Sequence, residues 1–453
     1  MPTTSKARSD AAAGALDIAE FIDEQPVGRF QIKVLLLCAA VLFFDGFDTQ
    51  AIGYVAPDLA RDWKLARGTL GPVFSAGLLG LMIGALVFGP VADRIGRKKI
   101  IVLATSAFGV GTLVTMFAQD VYWLIALRFL TGLGLGGAMP NAVALTAEFS
   151  PARRRATLVM AMFCGFSIGA ALGGLLASVL LPVFGWRSIF LIGGIAPLLF
   201  APLLKTMLPE SVRFLALTGR DDETLGRLLR HVAPTAVFPP GTRFVVREPE
   251  LAGVPVAHLF DQGRTVMTLL FWVMFFMSLL DLYMLSNWLP TVLNDLGASI
   301  SMAAAIGAML QVGGVIGTFT LGSLIDRFSF RALALTYLVA SAAIVAVGFS
   351  GHSIALAAAA IFCAGFCIVG GQSASNALAG TYYPTPIRST GVGWALGIGR
   401  IGSIAGPLVG GVMIANQVGA EALFLTAAIP ALCACCAAFA LGKIASAKVP
   451  VGT

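Results

Sequence analysis

Twelve runs of mostly apolar residues, each near the length of a membrane crossing, dominate the chain: 34–56, 69–92, 100–117, 121–147, 157–181, 187–204, 266–290, 302–325, 332–350, 354–381, 390–414 and 421–442. A helix crossing the roughly 30 Å hydrocarbon layer needs about 20 such residues. The 58% hydrophobic content and mean hydropathy of +0.89 leave too little polar surface for a water-soluble fold. Inside lipid only helices and closed barrels satisfy the backbone, and the short alternating strands of a barrel are missing. The expected fold is therefore all-α, a membrane protein of twelve transmembrane helices. The 52 glycines fit this reading, because small residues let membrane helices approach closely.

Cytoplasmic loops of membrane proteins carry the excess of Lys and Arg. With the N-terminus placed in the cytoplasm, 24 of the 30 basic residues fall in inside loops and only Arg61, Lys64, Arg67 and Arg187 outside. Arg128 and Arg400 lie within spans. Both termini are thus expected in the cytoplasm, and the net charge of +7 describes one membrane face rather than a nucleic-acid partner. The expected divisions are a cytoplasmic N-terminal segment 1–33, a six-helix half 34–204, a cytoplasmic linker 205–265, a second six-helix half 266–442 and a tail 443–453. Residues 1–30 hold Lys6, Arg8, Asp10, Asp17, Glu20, Asp23 and Glu24 without an apolar core, so no cleaved targeting segment is expected. The seven cysteines read as packing residues, and His231, His258 and His352 are too scattered for a metal site, so no cofactor is expected.

Sliding the sequence over itself by 233 residues aligns Gly89-x-x-x-Asp93-Arg94 with Gly322-x-x-x-Asp326-Arg327. The same offset pairs Pro57 with Pro290, Gly132 with Gly365, Gly137 with Gly370, Arg155 with Arg388 and Gly173 with Gly406. An offset spanning six helices gives two halves of the same membrane orientation, an arrangement that meets at a central cavity.

A charge at the bilayer centre costs at least about 2.5–3.5 kcal/mol, so such residues usually face a cavity, pair and function. Here they are Asp45, Asp48, Arg128, Asp281 and Arg400. Asp45 and Asp48 are three apart, which puts both carboxylates on one helix face and discourages double ionisation. One of them is a candidate to take up a proton; the alternative is a permanently ionised pair bound to Arg128 or a backbone group. Arg400 stands among glycines in Gly397-x-Gly399-Arg400-x-Gly402, which leaves room for a guanidinium to hold a carboxylate by two parallel hydrogen bonds. Its alternative is a static bridge to Asp281 or another acid across helices. Three acids against two bases means that one proton neutralises the set. Glu148 and Asp93, near the cytoplasmic ends of their spans, are expected to pair with Arg instead. Flat walls and a few polar groups for an aromatic ligand are available in Phe44, Phe47, Tyr54, Tyr283, Trp288, Gln311, Gln372 and Asn376, each also explicable as packing.

The segment Gly89-Pro-Val-Ala-Asp93-Arg94-Ile-Gly96-Arg97-Lys98-Lys99 resembles the loop signature of the major facilitator superfamily. Asp45-Gly-Phe-Asp48-Thr, the Arg128 to Asn141 segment, Pro209-Glu210-Ser211-x-Arg213-Phe214 and Gly397-Ile-Gly399-Arg400 resemble the aromatic acid:proton symporters, carriers of 4-hydroxybenzoate, protocatechuate and benzoate. The resemblance implies a monomeric inner-membrane carrier that imports an aromatic carboxylate with a proton, driven by the proton gradient. It implies proton coupling at Asp45 and Asp48 and substrate contacts at Arg400, Arg128, Asp281, Tyr283, Trp288, Gln372 and Asn376. Gly89, Asp93, Arg94, Gly96, Arg97, Asp326 and Arg327 would latch the inward gate. Asp281 departs from the family pattern, where an apolar residue is common. Rival readings are a carrier of another organic anion, sugar or drug, or a receptor descended from one; an enzyme is disfavoured because no catalytic cluster is found.

Overall fold

The computed structural model describes residues 15–218, 222–238, 242–246, 256–350, 353–384 and 387–448. Lys6, Arg8 and Asp10 of the N-terminal segment lie outside the described residues, as does the side chain of Asp326.

Twelve helices are long and apolar enough to cross a membrane. Six form the first half: α1 Arg29–Asp62, α2 Leu70–Ile95, α3 Arg97–Thr115, α4 Val121–Glu148, α5 Ala152–Phe184 and α6 Arg187–Met207. The second half contains α7 Thr265–Asp295, α8 Ile300–Gly322, α9 Arg327–Gly348, α10 Ile354–Tyr382, α11 Arg388–Ala415 and α12 Ala420–Lys448. The chain breaks its helical path near the start of α9 at Ser329, whose φ is +49°. Several helices outrun their apolar cores because polar side chains at their ends find partners. Past the apolar run of α1, Asp58 accepts from Arg61 at 2.6 Å and from the Trp186 backbone N–H at 2.9 Å, while Asp62 accepts from the Trp186 indole at 3.0 Å.

The repeat seen in sequence is a repeat of contacts. A Cβ on Gly80 of α2 would run into the Phe129 carbonyl of α4, and one on Gly313 of α8 into the Phe362 carbonyl of α10. Gly84 faces the Leu133 carbonyl as Gly317 faces that of Phe366, and Gly169 faces the Phe43 carbonyl as Gly402 faces that of Phe276. Each pair of glycines and each pair of carbonyls is separated by the same 233 residues. Only a residue without Cβ permits these backbone approaches, so the same small-residue packing is built twice.

The halves are joined at the end that carries the α1–α2 and α7–α8 loops. There Ser75 donates to the Ile404 carbonyl at 2.8 Å, Ser301 donates to the Ser178 carbonyl at 2.5 Å, and the Trp288 ring packs against that of Phe74 at 5.0 Å. Gly53 sits against Ser286 and Asn287, and Gly71 against Pro407 and Gly411. At the opposite end a Cβ on Gly89, Gly322, Gly380, Gly393 or Gly397 would meet nothing within 4 Å. None of the ion pairs among the described residues crosses between the halves.

Described parts of the terminal segment and the linker pack together into a small cap. Strand β1, Ala15–Asp17, pairs in parallel with β2, Arg243–Val245, and three short helices, Ile18–Glu24, Val212–Thr218 and Asp222–Val232, lie beside them. Ile18, Ile22, Leu225, Leu229 and Phe244 are buried in one cluster with Val34, Phe149 and Leu208 of the first half. Asp23 then caps α5, accepting from the Ala152 N–H at 2.7 Å and from Arg155 at 3.3 Å.

Candidate functional site

Asp45 and Asp48 are both fully buried on α1 and act on one another electrostatically, but they have different partners. Asp48 looks into its own half. Arg128 of α4 donates to it through both terminal nitrogens, at 3.4 Å to Oδ1 and closer still to Oδ2, and Thr112 of α3 donates to Oδ1 at 2.5 Å. Arg128 is itself only 3% exposed and lies over the Phe190 ring at 5.7 Å. Neither charge could be held there alone, so the pair locks α1, α3 and α4 together. Arg128 thus makes the pairing with Asp48 that was one of its two expected roles, and it also lines a small cavity with Thr49, Val73, Gly77 and Asn287.

Asp45 looks toward the other half. Its Oδ1 accepts from Thr49 at 3.1 Å, one turn along α1, and its Oδ2 is buried without a partner. The cation within electrostatic reach is Arg400 of α11. Arg400 is half-buried; it donates to the Tyr283 hydroxyl of α7 at 3.3 Å and touches the Met139 sulfur of α4 at 3.3 Å. Gly399 and Gly402 press α11 onto α7 at Phe275 and Phe276, while a Cβ on Gly397 would meet open space. Both contacts of the guanidinium are neutral, so it retains the charge and the donors that a carboxylate needs.

Two expected site residues are placed elsewhere. The bridge between Arg400 and Asp281 does not form: Asp281 is 1% exposed and faces α9, where Tyr337 is within its electrostatic reach. Asp281 and Tyr283 are two apart on α7, which on a helix points them to nearly opposite sides. Trp288, expected against substrate, belongs to the seam between halves. Its indole N–H is taken by Pro407 and its ring packs edge-on against Phe74 at 5.0 Å. Tyr54 is likewise committed, donating to the Ala170 carbonyl at 3.1 Å. Gln372 and Asn376 of α10 fit the expectation of polar groups awaiting a ligand, because both amide atoms of Gln372 and Oδ1 of Asn376 are buried without partners. Neither touches Arg400 among the described contacts.

The loop between α2 and α3 turns at Gly96, whose φ of +104° favours glycine and where a Cβ would strike the Glu210 carboxylate. Glu210 accepts from the Lys98 N–H at 3.0 Å, at the start of α3. Arg97 pairs with Asp93 at 3.6 Å and, more closely, with Glu148, so both peripheral acids find Arg as expected. Gly89 stands open and Arg327 lies over the Phe328 ring at 5.2 Å. Sequence reasoning missed Thr49, Thr112 and Met139; of these only Thr49, four residues from Asp45, carried a local signal.

Comparison with known proteins agrees with this architecture. The family model described as Major Facilitator Superfamily matches residues 38–278 and 271–449. The chain is 42% identical over 440 residues to a gallate transporter of Pseudomonas putida, covering 97% of this chain and 98% of the relative. It is 42% identical over 438 residues to the 4-hydroxybenzoate transporter PcaK of Pseudomonas aeruginosa, covering 96% and 98%. A 3-(3-hydroxy-phenyl)propionate transporter of Escherichia coli is 38% identical over 412 residues, 89% of this chain and 92% of the relative. Among solved structures, the partially occluded inward-open xylose transporter XylE of E. coli superposes with a TM-score of 0.70 at 18% identity, covering 93% of this chain and 98% of that one. At that identity the likeness concerns the fold. The chain is a transporter, not an enzyme, and belongs to the major facilitator superfamily, among its aromatic-acid carriers.

Proposed function

We propose that the protein imports an aromatic carboxylate together with a proton by alternating access, with Arg400 holding the carboxylate and Asp45 with Asp48 together taking one proton. The observation that carries this reading is the position of Arg400: half-buried between the halves, touching only neutral groups, and within electrostatic reach of Asp45, one of whose oxygens has no partner.

A substrate carboxylate and Asp45 compete for one guanidinium. When the substrate occupies Arg400, Asp45 loses its nearest cation and burial favours its neutral, protonated form. When the substrate leaves, Arg400 again stabilises ionised Asp45 and the proton departs. Asp48 supports this exchange through Thr112 and Arg128, and protonating it would free Arg128 within its own half. Tyr283 steadies the Arg400 guanidinium; Gln372 and Asn376 offer hydrogen bonds to ring hydroxyls. A neutral sugar would leave the guanidinium without an anion, which disfavours that class.

The halves rock about the shared seam, and the segments containing Gly89, Asp93, Arg94, Gly96, Arg97, Asp326 and Arg327 form the gate at the opposite end. The excess of loop cations supports a cytoplasmic-membrane location with both termini inside, and the carrier works as a monomer. Purified protein in vesicles should accumulate gallate, 4-hydroxybenzoate or benzoate when an inward proton gradient is imposed, and outward substrate gradients should carry protons with them. Uptake that ignores the gradient, or no uptake of any aromatic acid, refutes the proposal.

A further inference from the structure

We propose that Asp281 is a second proton-binding site, housed in the second half, and that it makes transport electrogenic: two protons accompany each carboxylate. This rests on the proton-coupled reading above.

Under the 233-residue offset Asp281 is the counterpart of Asp48. The acid is present in both halves, but its surroundings are not. At the position of Arg128 the second half has Ile361, and at that of Thr112 it has Val345. Asp281 is as buried as Asp48, yet its Oδ1 has no partner and no cation pairs with it among the described residues. Arg400, the cation in the neighbouring α11, acts on Asp45 and Tyr283 instead. Among the described residues the titratable group within its electrostatic reach is Tyr337 of α9.

A carboxylate in such a place, without cation or donor, costs several kcal/mol, and the neutral acid avoids that cost. Hydroxyls one turn away on α7, and on α9 and α10, are hydrogen-bonded into a string. The Tyr337 hydroxyl donates to Ser278, one turn before Asp281 on the same face of α7, at 3.0 Å, and lies 3.0 Å from Ser375 of α10. Ser375 in turn donates to the Gly371 carbonyl at 2.8 Å. The string of hydroxyls, each able to donate and accept, joins the acid's helix to α10 beside the unpartnered Gln372. The step is a simple protonation: the carboxylate takes one proton from the side of entry and returns it on the other side, with no other bond changed.

The charge count gives the test. One proton with a singly charged carboxylate moves no net charge; two protons move one positive charge inward. At zero pH gradient, an inside-negative potential of 100 mV should then raise the accumulation ratio of 4-hydroxybenzoate in vesicles about 50-fold, from about 2.3 kcal/mol per charge. Asp281→Asn should keep uptake driven by a pH gradient and lose the response to potential, and Asp281→Glu should keep both. Wild-type uptake that ignores the potential overturns the proposal without any variant. A potential response that survives in Asp281→Asn also overturns it. Absence of gradient-driven uptake in the wild type is a different failure, that of proton coupling itself.

Discussion

Removing Arg128 from the pair with Asp48 should destabilise the first half far more than removing both partners together. The guanidinium is 3% exposed and the carboxylate fully buried, so Arg128→Met strands a negative charge whose remaining donor is Thr112. Breaking a buried pair from one side costs about 3–5 kcal/mol. Asp48→Asn with Arg128→Met leaves no charge behind, and its remaining polar group can still meet Thr112. The double variant should therefore recover more than half of the loss, a coupling of about 2 kcal/mol or more in a double-mutant cycle. The assay is denaturant unfolding of purified protein in detergent, followed by tryptophan fluorescence for the four proteins of the cycle. Equal stability of Arg128→Met and wild type, or strictly additive losses, would refute the buried pair. Stability rather than uptake is the right readout, because both single changes are expected to impair coupling as well.

Other changes probe the rest of the architecture. Tyr283→Phe removes the hydroxyl that steadies Arg400, a hydrogen bond to a charged group of about 1.5–3 kcal/mol, and should raise KM for uptake about tenfold or more with the fold intact by circular dichroism. Gly402→Val places a side chain where the Phe276 carbonyl already stands and should abolish the yield of monodisperse protein, whereas Gly397→Ala, in open space, should be tolerated; size-exclusion profiles separate the two. Trp288→Phe shrinks the ring that packs across the seam on Phe74 and removes its hydrogen bond to Pro407, a loss of about 1 kcal/mol, which predicts roughly fivefold faster labelling of a cysteine introduced at Ala415. Asp23→Ala uncaps α5 and frees Arg155, so proteolysis within the linker should accelerate while transport persists.

Much of this was legible in the sequence, because lipid imposes strict rules. Spans followed from apolar length, and the 233-residue offset reappears as matched glycine contacts such as Gly80 with Phe129 and Gly313 with Phe362. That charge is buried inside both halves was also legible. Partner choice was not. Two aspartates on one helix face admit several pairings with Arg128 and Arg400, and only the rotation of α1 sends Asp48 to its own half and Asp45 across to the other. Trp288 misled for a related reason: an aromatic residue packed in a seam and one lining a cavity look alike until the helix crossing is known. The cap formed by the terminal segment and linker went unread although Leu225 and Leu229, like Ile18 and Ile22, repeat at helical spacing. Short amphipathic helices gain stability from docking rather than from local propensity, so their sequences alone carry a weak signal.

The central claim concerns one guanidinium and one carboxylate. Arg400→Lys keeps the positive charge but loses the planar fork that can grip a carboxylate twice. In vesicles with an inward proton gradient, this variant should show at least a tenfold loss of uptake at low 4-hydroxybenzoate concentration, while its unfolding transition stays within the wild-type range. Wild-type uptake of every aromatic acid by Arg400→Lys would contradict the assignment of Arg400 as the carboxylate anchor.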